Sequence, residues 1–293
     1  MLVSYSESTK FIVDNDYGIS AITRPESHTV LFMNKKIEDK IVRLYDCDDC
    51  FLFFQKGITI PNDLDSRHTF CEVDDAAKAF SLYCKDVYGK KIIEDRRKKY
   101  TDKDRSLIGE NVKIGKGTYI EPGCLIDHDV VIGENCVIKY GSVLRHCRIG
   151  NNCTIYEQVM IGNEPFNYHD ENGEAARTIA VGDVRIANNV DIGAHTVVDR
   201  GTTTHTVIGE NTKVDANVRI AHDAILADNV EVTSWSLVGA FAEIGERTAV
   251  FSADIMKRVM IGHDSVIGFD SVVIKDVPDS VEVFGYPARV IKK

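Results

Sequence analysis

The residue of this chain best suited to chemistry near neutral pH is His222, within VDANVRIAHDAILADN (214–229). An unperturbed imidazole titrates close to neutrality, so it can take up and return a proton in one catalytic cycle. Two other groupings have types and spacings that matter. Cys47 and Cys50 form a single CxxC; a zinc site there would need two further ligands, and the pair is read as a surface turn. His169 lies within GNEPFNYHDENGEAARTIA (162–180), too long an irregular stretch to be a simple connection. The basic run in GKKIIEDRRKKYTDKD (89–104) reads as a solvated face.

The elements that must position His222 are written in sixes. Val214, Ile220, Leu226, Val232, Val238 and Ile244 open successive hexads, with small or β-branched residues such as Val218, Ala224, Val230 and Ala242 at the fifth place. The same beat starts at Ile108, breaks at 162–180 and 199–207, and runs on to Val273. Each six is a short strand plus a bend, and three bends return the chain to its starting edge, so a coil takes about 18 residues. The openers then stack inside as aliphatic ladders. Cys124, Cys136 and Cys153 fall at the fifth place and read as small buried residues. Flat faces and short turns offer one chain no deep cleft, so a site is expected between neighbouring prisms of a cyclic oligomer.

Residues 1–88 do not repeat. Strands are expected at Val30–Met33, Ile41–Leu44 and Phe51–Phe54, and a helix over 74–87 with Asp74 or Asp75 as its N-cap. The expected organisation is a small α+β domain over 1–88, a linker or helix over 89–106, the repeat domain over 107–277 and a tail over 278–293. The fold class is mainly β, a parallel β-helix behind an α+β domain. The 293 residues are 44% apolar and 27% charged with a formal net charge of −10. An acidic chain lacks the broad basic face that nucleic acid requires. No apolar run is long enough to span a bilayer and the N-terminus lacks a secretory pattern, so a cytoplasmic location with reduced cysteines is expected.

Four segments carry a resemblance: NNVDIGAHTVVDRGTTTHTVIG (188–209), VDANVRIAHDAILADN (214–229), GNEPFNY (162–168) and FGYPARVI (284–291). From Ile108 to Pro287 the chain resembles the acyltransferases with hexapeptide repeats, and more narrowly the UDP-3-O-acylglucosamine N-acyltransferases of lipid A synthesis. The N-terminal residues resemble that family's nucleotide-binding domain through VLFMNKK (30–36) and FCEVDDAAKAF (70–80). The resemblance implies a left-handed β-helix, a homotrimer, a nucleotide-linked amino sugar as acceptor, and the acyl thioester of acyl carrier protein or coenzyme A as co-substrate, with no bound cofactor or metal.

It also implies roles. His222 matches the catalytic histidine, and Asp215 an acidic position that would orient the imidazole. Ala240, 18 residues on and so directly above His222, stands where the family uses a backbone amide against the oxyanion. Asn34 would bind the nucleotide base; Phe166 and Tyr168, with His169 beside them, would border the sugar or acyl pocket. Arg258, Lys275 and Arg289 are candidates for the donor's phosphates. The chain departs from the family in having Leu31 and Ile37 where aromatic residues stack on uracil, Arg258 near the place of a second histidine, and no C-terminal helical extension before Lys293. Alternatives are a coenzyme A-dependent nucleotide-sugar acetyltransferase outside lipid A synthesis, a non-catalytic β-helix scaffold, and a β-helical metalloenzyme using His195, His205 and His222. Trp235, the single tryptophan, sits mid-hexad and suits a subunit contact or an acyl pocket.

Overall fold

The computed structural model describes residues 2–4, 17–64, 66–95, 101–103, 105–171 and 173–292. The basic run at 96–100 and Lys293 therefore lie outside the described residues. Two compact units are present. One contains 1–96 together with 167–181, the other 97–166 together with 182–293.

The second unit is the repeat domain. Three sheets, parallel except for one end strand in each of two of them, form the faces of a prism, and between Ser106 and Val273 the coil strands take the faces in rotation. The first face carries Ser106–Ile108, Leu125–Ile126, Val143–Leu144, Met160–Asn163, Val197–Asp199, Arg219–Ile220, Leu237–Val238, Asp254–Ile255 and Val272–Val273. Register is pinned coil to coil: Arg219 pairs with Leu237 and Ile220 with Val238. The expected ladders are present. Ile126, Leu144, Ile161, Val198, Ile220, Val238, Ile255 and Val273 stack along the first face, buried with their counterparts from the other two. The fifth-place residues Cys124, Cys136 and Cys153 are also buried. The coils form the left-handed parallel β-helix expected of hexapeptide repeats.

Most bends end on a residue at positive φ, commonly Asn or Asp, as at Asn135, Asn152, Asn189, Asn211, Asn217 and Asp223. These short polar side chains tolerate the left-handed region. Phe241 (φ 59°) and Trp235 (φ 65°) occupy the same slot although bulky residues there are outliers.

The first unit holds a five-stranded sheet in the spatial order Leu2–Ser4, Thr69–Val73, Phe51–Gln55, Thr29–Met33, Gly18–Ile19, all parallel. Both sides of such a sheet are covered, which explains the unbroken apolar run at Phe51–Phe54. Val30, Phe51, Phe53, Cys71 and Val73 face the helix Ala76–Asp95, while Leu31, Met33, Leu52, Phe54 and Phe70 pack on the other side with Leu44, Cys47 and Cys50. Asp75 caps the helix, its Oδ1 accepting from the Lys78 N–H at 3.0 Å. Ile41–Leu44, expected as a strand, lies inside a 3-10 helical stretch, Lys35–Asp46. Its exposed Val42 and buried Leu44 suit one covered side, and the neighbouring strand places are taken by longer apolar runs. The 162–180 stretch contributes a hairpin, Tyr168–Glu171 with Glu174–Arg177, and Val181 packs against the core on the helix side.

Candidate active site

One corner of the prism, the bend after each first-face strand, collects the chemistry. Going up the coils it carries Asp127–His128–Asp129, the loop that leaves at Gly162, the loop 199–204, then Ala221–His222–Asp223, Gly239–Ala240–Phe241 and Met256–Lys257–Arg258. The two breaks in the hexad pattern thus fall at the corner where His222 sits.

The His222 Nδ1 lies 2.8 Å from Asp223 Oδ2. Asp223 is fully buried and also accepts from the Thr202 N–H at 2.9 Å, the Thr202 hydroxyl at 2.6 Å and the Thr204 N–H at 3.2 Å. Burial pushes its carboxyl up, but the bonds from His222 and Thr202 outweigh burial and hold it below the usual carboxylate range. An ionised carboxylate only accepts, so Nδ1 carries the proton and Nε2 presents a lone pair. Among the described residues Nε2 has no protein partner, and the ring, 14% exposed, keeps a path to solvent.

The carboxylate that orients the imidazole is therefore Asp223, not Asp215. Asp215 stands in the bend after the third face, accepting from the Ala216 N–H at 2.7 Å and from the Ser234 N–H and hydroxyl. These bonds cap two bends and hold its carboxyl low, with the Ser234 hydroxyl the largest influence. Asp223 escaped the sequence reading because an acid in that slot looks like ordinary turn chemistry. Its signal was adjacency to His222.

Ala240 sits on the next coil, in register above His222, as the Phe241 N–H donating to the His222 carbonyl at 3.1 Å confirms. Lower in this corner the equivalent amides of Glu110 and His128 donate to His128 Nδ1 and Asp127 Oδ1. The Ala240 N–H has no acceptor among the described residues. The Phe241 ring stands edge-on to the imidazole at 5.3 Å between centroids, and the Arg258 guanidinium lies 4.5 Å from the Phe241 ring centre. That cation–aromatic contact anchors Arg258 at this corner. Lys275 follows, exposed, in the next bend of the same corner. Arg289 does not join them. It lies in Arg289–Lys292 at the end of the third face, its guanidinium turned back on the carbonyls of Pro287 and Ala288.

Below His222 is a polar floor that the sequence reading did not single out. Buried Asp199 accepts from Asn163 Nδ2 at 2.7 Å and pairs with Arg219 at 2.5 Å; burial nevertheless raises its carboxyl above the usual value. Arg200, also buried, donates to the Gly182 carbonyl at 2.8 Å and to Glu164 at 3.3 Å. These bonds tie the loops at 162–166 and 199–204 to each other.

The other expected residues are more scattered. Phe166 is 85% exposed. Tyr168 and His169 belong to the hairpin in the first unit, where His169 Nδ1 meets Thr178 Oγ1 at 3.1 Å and Tyr168 faces Arg177. Asn34 caps the 3-10 stretch through a bond from the Lys36 N–H at 3.1 Å. Leu31 is wholly buried and offers no stacking surface. Within one chain the three histidines of the metal alternative do not converge: His195 stands in a third-face bend, His205 on a second-face strand paired with Asp183, and His222 in a first-face bend. Trp235, on the same coil as His222, projects from the third-face bend with 73% of its surface exposed.

Fold and corner together define a hexapeptide-repeat β-helix protein. The bacterial transferase hexapeptide (six repeats) family matches residues 111–146 and 205–240. The particular relatives are acyltransferases. The chain is 31% identical over 150 residues to the probable UDP-3-O-acylglucosamine N-acyltransferase 2, mitochondrial, of Arabidopsis thaliana, covering 49% of this chain and 48% of that one. It is 39% identical over 90 residues to the UDP-3-O-acylglucosamine N-acyltransferase of Shewanella denitrificans, covering 31% and 26%. The chain thus spans about half or less of the curated relatives it matches. Among solved structures it is similar to LpxA from Acinetobacter baumannii, with a TM-score of 0.59 and 27% identity over 64% of this chain and 72% of that one. An Arabidopsis UDP-N-acetylglucosamine acyltransferase shares the fold, with a TM-score of 0.56 at 23% identity, covering 65% and 71%. No helix among the described residues is long and apolar enough to cross a membrane.

Proposed function

We propose that the protein is an N-acyltransferase that moves an acyl group from a phosphopantetheine thioester to the amine of a nucleotide-linked amino sugar. The supporting observation is the His222–Asp223 pair with the Ala240 amide, unpaired among the described residues, one coil above it. His222 Nε2 takes a proton from the acceptor amine as its nitrogen attacks the thioester carbonyl. The Ala240 N–H meets the oxygen that becomes negative. The C–N bond stands, the C–S bond breaks, and the imidazolium returns the proton to the departing thiolate. Asp223 stabilises the imidazolium between those steps. Arg258 and Lys275 are the cations available at this corner for donor phosphates. Asn34, in the other unit, is assigned to the nucleotide base on resemblance alone.

The working form is assigned as a homotrimer on the resemblance, and the exposed Trp235 on the coil of His222 suits a subunit contact. Location in the cytoplasm accords with eight cysteines all free and buried. The test is direct assay of the purified chain with acyl carrier protein and coenzyme A thioesters against amino and N-acetyl forms of a UDP-sugar. Amide formation with the amino form supports the reading. Turnover of a hydroxyl acceptor in its place, or of neither, overturns it.

A further inference from the structure

The CxxC of the first unit has a third partner. Cys47 ends the 3-10 stretch, Cys50 directly precedes strand Phe51–Gln55, and His68 directly precedes the adjacent strand Thr69–Val73. Their ligand atoms all lie within 4.8 Å of one another, and all three residues are buried, so the CxxC is not the surface turn its sequence suggests. The two sulfurs are 3.5 Å apart. The imidazole is held in one tautomer. Its Nε2 lies 3.1 Å from the Leu44 carbonyl, which only accepts, so Nε2 carries the proton. Nδ1 is then the unprotonated nitrogen; it accepts a hydrogen bond from the Cys50 N–H at 3.2 Å, a bond that a metal ion on Nδ1 would replace. Metal-binding histidines are oriented in this way, by a distal N–H held on a backbone carbonyl.

We propose that Cys47, Cys50 and His68 bind a thiophilic divalent cation, Zn(II) by chemistry, through two thiolates and His68 Nδ1. Binding releases the two thiol protons, so the ion and its two thiolates are together neutral inside an apolar core. Three protein ligands leave a fourth position for solvent or an exogenous donor. The ion ties the end of the 3-10 stretch to the starts of two neighbouring strands, a staple for a small sheet unit. The sequence reading saw only the CxxC, because His68 lies 18 residues further on and becomes a neighbour only when the strands pair in parallel.

The test uses the full chain. Metal analysis of protein purified without chelator is expected to give one zinc per chain. Co(II) added to metal-free protein is expected to give tetrahedral ligand-field bands with an intense thiolate charge-transfer band at one equivalent. Cys47→Ser with Cys50→Ser removes that band; His68→Phe weakens binding by about tenfold or more; His68→Cys retains the metal with a stronger charge-transfer band; Cys71→Ser changes nothing. The wild-type spectrum serves as the test even if a variant fails to fold. Absence of the thiolate band in the wild type, its persistence in the double serine variant, or a Cys47–Cys50 disulfide as the isolated form would each overturn the proposal.

Discussion

Replacing Asp223 with Asn removes a charge while leaving shape almost unchanged. Asp223 Oδ2 takes the His222 Nδ1 proton at 2.8 Å together with both Thr202 donors, and Oδ1 takes the Thr204 N–H. An amide oxygen placed at Oδ2 keeps the first three bonds, so the imidazole stays in the same tautomer. The loss is the negative charge opposite the imidazolium. Two unit charges about 4 Å apart at an effective dielectric near 20 attract by about 4 kcal/mol, which corresponds to roughly a thousandfold in rate. The new NH2 also faces the Thr204 N–H, and charged hydrogen bonds become neutral ones, so a stability loss of about 2–4 kcal/mol is expected. Steady-state assay of Asp223→Asn, with folding checked by circular dichroism, should show kcat down by about a thousandfold and KM nearly unchanged. A folded variant keeping more than about a tenth of wild-type kcat would refute the assignment of Asp223 as the partner of an imidazolium.

Three further outcomes follow from the same geometry. Ala240→Pro deletes one N–H in a bend that accepts proline, as Pro122 followed by Gly123 (φ 85°) shows in a third-face bend; kcat should fall by about 10²–10³ with the melting temperature little changed, and near-normal turnover would remove the oxyanion role. Asp223 has a lowered carboxyl pKa in the folded chain, so its stabilisation is present above the unfolded value near 3.9 and is lost as pH falls through the folded value; acid-unfolding curves should be less steep below about pH 4 in Asp223→Asn than in wild type. Ile220→Ala opens a cavity in the first-face ladder beneath the site and should cost about 2–5 kcal/mol in denaturant unfolding, while an exposed change such as Glu246→Ala should move it by less than about 0.5.

The repeat domain was legible because its core obeys one rule. Every sixth residue must fill the prism, and a ladder of openers leaves few other readings. His222 was legible because a titratable ring stands in a bend whose neighbours fixed its register. What surrounds it was less so. Asp223 occupies a slot that asks for Asp or Asn in any bend, and Asp199, Arg200 and Arg219 reach one another only across coils and through irregular loops. In the first unit, local patterning found the inner strands at Thr29–Met33 and Phe51–Gln55 and the helix cap but took Ile41–Leu44 for a strand, since a short apolar run does not distinguish a strand from a turn of 3-10 helix. The hairpin at 168–177 pairs polar residues and had no apolar alternation to announce it.

The central claim is that proton transfer at this corner runs through one imidazole. The most direct measurement is kcat of His222→Ala against wild type, with oligomeric state and melting temperature determined on the same samples. A loss of about 10³ or more in an otherwise intact protein is the predicted result. Turnover within about tenfold of wild type would contradict the account and place the base elsewhere.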